Sequence, residues 1–261
     1  VARQARKKSK SGIYHVIIRG ANRQEIFHDE EDRIKFLGIL QKVKTKSGLK
    51  VYAWCLMGNH VHLLVKEGSE SISVVMKRIG VSYANYYNWK YKTTGHLFQD
   101  RFKSGNVETV NYLLTVTRYI HQNPVKAGIA PSPQEWKWSS CRGYYGDSVY
   151  PPHLLDPDYL LHMFSPKRHI AQVRFKEFNE RVNQDKCLED HDDSCRKLSD
   201  DEARVEIRKC LGPLEIPQLK SLPKEERDKI LSRVKRIEGV SQMQAARILG
   251  IAAHFLYKVR G

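Results

Sequence analysis

The sequence predicts an α+β fold: a ferredoxin-like antiparallel sheet with helices on one face, followed by a small all-α helix-turn-helix domain. Three observations predict it. Segments of strand and helix periodicity follow one another as β-α-β-β-α-β-α over residues 13–123. The second and third strand segments are separated only by Gly58-Asn59, a connection short enough for a hairpin. The tail carries two short apolar-periodic stretches broken at Gly239-Val240-Ser241 and at Gly250-Ile251.

Each element follows from its residues. Residues 1–10 hold Arg3, Arg6, Lys7, Lys8 and Lys10 with little apolar content, and read as a basic arm. Residues 13–19 are rich in strand formers and close at Gly20. Residues 29–46 place Ile34, Phe36, Leu37, Leu40 and Val43 at helical spacing, and Gly48 ends the run. A strand over 50–57 leads into a second over 60–65. Residues 71–92 read as a long helix with Val74, Val75, Ile79, Tyr83 and Tyr86 on its apolar side, broken by Gly95. Residues 98–107 are basic and partly extended. Residues 110–123 are helical, and Pro124 is expected to stop them. Residues 124–165 form an irregular extension in which Trp136, Trp138, Tyr144 and Tyr145 pack back onto the domain or stack on bases, packing being the favoured use. Residues 166–222, with the acidic run Glu189-Asp190-His191-Asp192-Asp193, read as a helix and a polar linker.

The tail, 223–261, is expected to be a separate domain. Residues 225–237 are amphipathic, Ser241 is placed to cap a helix over 242–249, and 252–260 follows Gly250-Ile251. That is a helix-turn-helix pattern. Its last helix would offer His254, Tyr257, Lys258 and Arg260 to a duplex; the alternative is a small bundle without DNA contacts.

Lys and Arg number 45 against 29 Asp and Glu, a net charge of +16. A surplus of that size favours a polyanion, most simply nucleic acid, over a merely solvated basic surface. Arg19, Arg23, Lys77, Arg78, Arg101 and Lys103 are the candidates to line a DNA path. No apolar run approaches the roughly 18 residues of a membrane span, and the basic residues 1–8 lead into no signal-peptide core. Five scattered cysteines without an export signal suggest reduced thiols and a cytoplasmic setting. Cys187, His191 and Cys195 lack a fourth zinc ligand at usual spacing.

The chemistry centres on His60 and His62. In a strand, residues two apart share a face, so both imidazoles point the same way and can take two positions on one metal ion. Tyr119 and Asn123 are four apart on a helix, one turn from each other. Asn123 can supply a third, oxygen ligand, and Tyr119 can stand beside the ion near a bound phosphate. A metal with open positions polarises a scissile phosphate. A tyrosine activated by the metal, a base or a neighbouring cation can attack it and form a phosphotyrosine link.

Three ordered motifs carry a resemblance: Tyr14-His15-Val16-Ile17-Ile18-Arg19-Gly20, Cys55-Leu56-Met57-Gly58-Asn59-His60-Val61-His62-Leu63-Leu64-Val65 and Arg118-Tyr119-Ile120-His121-Gln122-Asn123-Pro124-Val125-Lys126-Ala127-Gly128. Over residues 11–145 the chain resembles the single-tyrosine HUH transposases, most of all the REP-associated tyrosine transposases. The resemblance implies cleavage and rejoining of single-stranded DNA beside a hairpin. Its metal histidines fall on His60 and His62, its nucleophile on Tyr119 and its amide ligand on Asn123, with magnesium or manganese as the usual ion. Gly58 stands where the family often has Pro, which loosens the turn but removes no ligand. The tail is similar to the helix-turn-helix of bacterial replication initiators. The catalytic domain with its extension is then 11–165. Two other readings are a DNA-binding regulator on a transposase-derived scaffold and a metalloenzyme using water as nucleophile. Monomer and homodimer both stay open.

Overall fold

The computed structural model describes residues 7–21, 24–183, 185, 187, 198 and 200–259. Arg23, Arg260, His191, Cys195 and the acidic run at 189–193 lie outside them. The chain forms two compact units, residues 1–190 and 191–261.

The first unit is built on a four-stranded sheet. Strands β1 (Ile13–Arg19), β2 (Lys50–Leu56), β3 (His60–Lys66) and β4 (Lys103–Asn106) lie in the order β2-β3-β1-β4, every neighbour antiparallel. With α1 (Glu30–Ser47) after β1 and α2 (Ile72–Tyr91) after β3, this is the ferredoxin-like arrangement. Of the basic stretch 98–107, only the four residues of β4 are strand.

Alternation divides the core. Tyr14, Val16 and Ile18 of β1 and Val61, Leu63 and Val65 of β3 point to one face, where they meet Phe36, Leu37 and Leu40 of α1 and Val75, Ile79 and Tyr83 of α2. Asp29 and Asp32 form a capping box at the start of α1, and Gly48 ends it in the left-handed conformation. Ile34 and Val74, expected on the apolar sides, are exposed. Val75, Ile79 and Tyr83 are buried as expected, joined by Ile72, Met76 and Tyr87.

The opposite face is also covered. Helix α3 (Val110–Lys126) packs Leu113, Val116 and Ile120 onto Ala53, Cys55 and Leu64. A register shift between Val51 and Ala53 turns both Tyr52 and Ala53 toward α3. α3 does not stop before Pro124. The proline forgoes the single helical bond to Ile120 O, the bond from Ala127 N to Asn123 O carries the helix past it, and Gly128 at φ 68° ends the run.

The extension packs back. Its short helices are α4 (Cys141–Tyr145) and α5 (Asp158–Leu161). Tyr144 is fully buried and donates from its hydroxyl to Tyr52 O at 2.7 Å, and Trp136 Nε1 donates to Leu56 O at 3.1 Å. The stretch expected as a helix and a polar linker holds two helices. Helix α6 (Arg168–Glu180) sends Phe175 into the α3-side core, stacked on Tyr144 at 4.4 Å. Helix α7 (Asp200–Leu211) belongs to the second unit, where Ala203, Ile207 and Leu211 join that unit's core.

The second unit continues through a 3-10 turn at Ile216–Ser221 into α8 (Lys224–Lys235), α9 (Gln242–Leu249) and α10 (Ala253–Lys258). Ser241 caps α9 as expected, accepting from Gln244 N at 3.1 Å, and Gly250 turns the chain at φ 64°. Leu256 is the buried residue of α10, with Ala253 and Val259 packed against the same core. No described helix is long and apolar enough to cross a membrane.

Candidate active site

The site lies on the α3 face of the sheet, on its two central strands. Residues of β1 and β3 that pair directly share a face, so Ile17↔His62 and Arg19↔His60 put both histidines and Arg19 together. His15, two residues from Ile17, joins them. The ring centroids of His60 and His62 are 5.0 Å apart, and those of His15 and His62 5.4 Å, nearly parallel at 28°.

The turn that presents His60 is fixed through the main chain. Gly58 O accepts from Ile26 N and Phe27 N, and Asn59 O accepts from Gly20 N, at 2.9–3.2 Å. Gly20 is required there, because a Cβ would overlap the carbonyl of Gln24.

Helix α3 brings Tyr119 over the imidazoles. Its ring centroid is 5.8 Å from that of His62 and 5.9 Å from that of His15, edge-on to both. Lys126 Nζ stands 5.0 Å from the Tyr119 ring centroid. Asn123 Nδ2 donates to Tyr119 O at 2.8 Å, which leaves Oδ1 as the amide atom available to a ligand. The structure therefore gathers His60, His62 and Tyr119. Asn123 lies one turn further along α3, and the hydrogen bond described for it is to the helix backbone.

Two anchors hold α3 in place. Arg118 forks onto Asp185 at 2.7 and 2.8 Å, both partners largely shielded, and covers the Phe178 ring. His121, fully buried, bridges Asn179 Oδ1 at 3.2 Å and Ser140 Oγ at 2.9 Å.

The chemistry of the donor set fits a divalent ion. Burial, and then the proximity of His60, His15 and Arg19, hold His62 well below the usual imidazole range, so its ring is neutral at pH 7. A neutral imidazole has a lone pair to give. Among the described residues no group of three or more His, Cys, Asp or Glu side chains could hold a metal.

Basic residues continue from the histidines. Lys103 pairs with Ile17 and so shares their face. It lines a cleft of about 240 Å³ with Ile17, Arg19, Gln99, Asp100 and Arg101. Lys77 lies on the other side of this segment, in an apolar cleft of about 520 Å³ with Met76, Phe98, Arg101 and Phe102. Arg78 is drawn elsewhere, forking onto Glu70 at 2.6 and 2.8 Å. In the second unit, His254 and Tyr257 are exposed, and Lys258 lies near Glu225 and Asp228 of α8.

Sequence reasoning missed His15 and Lys126. Alternation along β1 puts His15 on the histidine face, and seven-residue spacing puts Lys126 on the Tyr119 side of α3. Both signals are readable once the partner strand or ring is known.

Residues 8–123 match the family model described as transposase, IS200-like, somewhat under half of the chain. Among solved structures the chain is similar to a REP-associated tyrosine transposase bound to a REP hairpin, 19% identical over 58% of this chain and 89% of that one, with a TM-score of 0.47. It is also similar to a putative transposase from Deinococcus radiodurans R1, 21% identical over 48% of this chain and 97% of that one, with a TM-score of 0.33. No curated protein matches.

Proposed function

We propose that the protein is a transposase of the IS200-like kind, whose family model residues 8–123 match, and that it cuts and rejoins single-stranded DNA beside hairpins through a covalent 5′-phosphotyrosine. The observation that carries the proposal is Tyr119 lying edge-on over His62 and His15, with His60 alongside.

In this reading His60, His62 and the Asn123 amide oxygen hold Mg2+ or Mn2+, which supplies charge neutralisation at the scissile phosphate. The chain's own residues do the rest. α3, fixed by Arg118 and His121, holds the Tyr119 hydroxyl in line with the phosphorus. The ammonium of Lys126 packs against the Tyr119 ring, and the phenol proton leaves to solvent as the oxygen attacks. The tyrosine oxygen bonds to phosphorus, the bond to the 3′ oxygen breaks, and that oxygen takes a proton from solvent water to leave as a free 3′ hydroxyl. Attack by a 3′ hydroxyl on the phosphotyrosine reverses the step and joins strands. Arg19, Arg101 and Lys103 follow the DNA backbone along the cleft. The second unit reads duplex flanking the hairpin, with α10 presenting His254, Tyr257 and Lys258.

The test uses end-labelled strands bearing hairpins, with and without Mn2+, beside Tyr119→Phe. The expected result is label that survives denaturation on the protein, requires the metal and disappears in the variant. Cleavage that persists in Tyr119→Phe without an adduct would assign the nucleophile to water. Tight, salt-sensitive binding with no cleavage of any hairpin would make the protein a DNA-binding regulator.

A further inference from the structure

The two histidines proposed as ligands each have a partner at Nδ1. His60 Nδ1 lies 2.6 Å from Asn59 Oδ1, and His62 Nδ1 lies 3.1 Å from His15 Nε2. An amide oxygen can only accept, so His60 carries its proton on Nδ1 and keeps a lone pair on Nε2. His62 faces a partner that can play either role. If His15 Nε2 donates, His62 must carry its proton on Nε2 and has no lone pair there for an ion. If His15 Nε2 accepts, His62 is protonated on Nδ1 and its Nε2 is open.

We infer that His15 is a positioning residue for the metal site: it accepts from His62 Nδ1 and so makes Nε2 of His62 a ligating atom. This rests on the reading of His60 and His62 as ligands. The geometry supports it in three ways. The 28° angle between the His15 and His62 rings, at 5.4 Å, restricts how His62 can turn. The two residues stand as diagonal neighbours on the central strands and are 0% and 2% exposed, so bulk water does not compete for the bond. The arrangement also repeats at His60, where the neighbouring Asn59 plays the same part. His15 thus gives its Nε2 to His62 rather than to an ion, which leaves two imidazoles in the site rather than three. A partner that fixes the tautomer of a ligating histidine is worth about 10–100-fold in metal affinity.

The tautomer is directly observable. Long-range 1H–15N spectra of the metal-free, 15N-labelled protein should show His62 protonated on Nδ1, and His15→Phe should release that preference. Mn2+ affinity, read by electron paramagnetic resonance of the free ion, should fall about 10–100-fold in His15→Phe. It should largely recover in His15→Gln, whose amide oxygen can accept. Wild-type His62 protonated on Nε2, or unchanged Mn2+ affinity in a folded His15→Phe, overturns the inference. Should His15→Phe fail to fold, the wild-type tautomer and His15→Gln decide. Failure of the underlying ligand reading looks different: His60→Ala and His62→Ala would then bind Mn2+ as the wild type does.

Discussion

His121 should make the first unit acid-sensitive. The residue is fully buried. Asn179 Oδ1 can only accept, so Nδ1 carries the proton, and Nε2 takes the hydroxyl of Ser140. Ser140 Oγ already receives the Trp54 amide at 3.0 Å, so a second ring proton would take its remaining lone pair and leave its own proton only the longer bond to Trp54 O at 3.4 Å. Burial pushes the His121 pKa down from 6.5 to about 4, against an opposing pull from Asn179. The unfolded chain thus takes up a proton near pH 6.5, and the folded chain only near 4. The stability involved is complete above pH 6.5 and is lost as pH falls through that window. Linkage gives a loss of about 2 kcal/mol between pH 7 and 5, rising to about 3 kcal/mol when the ring is fully protonated. The perturbation is His121→Gln, which keeps a donor and an acceptor but does not titrate. Urea unfolding of both proteins at pH 7 and pH 5 is the assay. The wild type's lead over the variant should shrink by about 2 kcal/mol at pH 5, roughly 4–8 °C in a melt. His62 titrates in both proteins and cancels. A lead that is equal at the two pH values would refute the reasoning.

Four further outcomes are expected. Gly68→Ala should destabilise the first unit by about 3 kcal/mol in denaturant unfolding, because a Cβ there overlaps the backbone of Ser47 and Gly48, which no rotamer can relieve. Phe175→Ala should cost about 3–5 kcal/mol and melt the first unit early; an effect below 1 kcal/mol would mean α6 is not part of its core. A chain ending at residue 190 should stay folded and keep cleavage while losing preference for duplex-flanked sites, whereas a cut at 223 leaves α7 without the α8 and α9 residues it packs on. Binding to single strands should weaken with salt, and Arg101→Ala and Lys103→Ala should each lower the log–log slope by about 0.7.

The fold was legible because its main signals are local. Period-two alternation in β1 and β3, the Gly58-Asn59 turn and the stop at Gly48 each declare themselves within a few residues. So does the shared face of His60 and His62. What escaped needed a partner far along the chain. α6 has an apolar side of only a few residues, and its place is set by Phe175 meeting Tyr144, 31 positions earlier. Hence 166–222 reads as one helix and a linker although it holds both α6 and α7. Pro124 reads as a stop because it forgoes a helical bond, but α3 bridges it through Ala127 N to Asn123 O. His15 went unnoticed because its meaning comes from the register β1↔β3, and Arg78 looked free because Glu70 is eight residues away.

The main-chain hydrogen bonds from Gly20, Ile26 and Phe27 into the Gly58-Asn59 turn have an evolutionary consequence. Support given by peptide groups does not record itself in side-chain identity. The exposed positions Gln24 and Glu25 on the bracing loop, whose side chains pair with Leu97 O and His28 and not with the turn, can therefore vary among descendants while the histidine turn stays in register. Gly20 has no such latitude. Lineages should thus diverge fastest in the loop that braces the site and keep a single glycine beside it, and a library randomised at 24 and 25 should return mostly folded, active members.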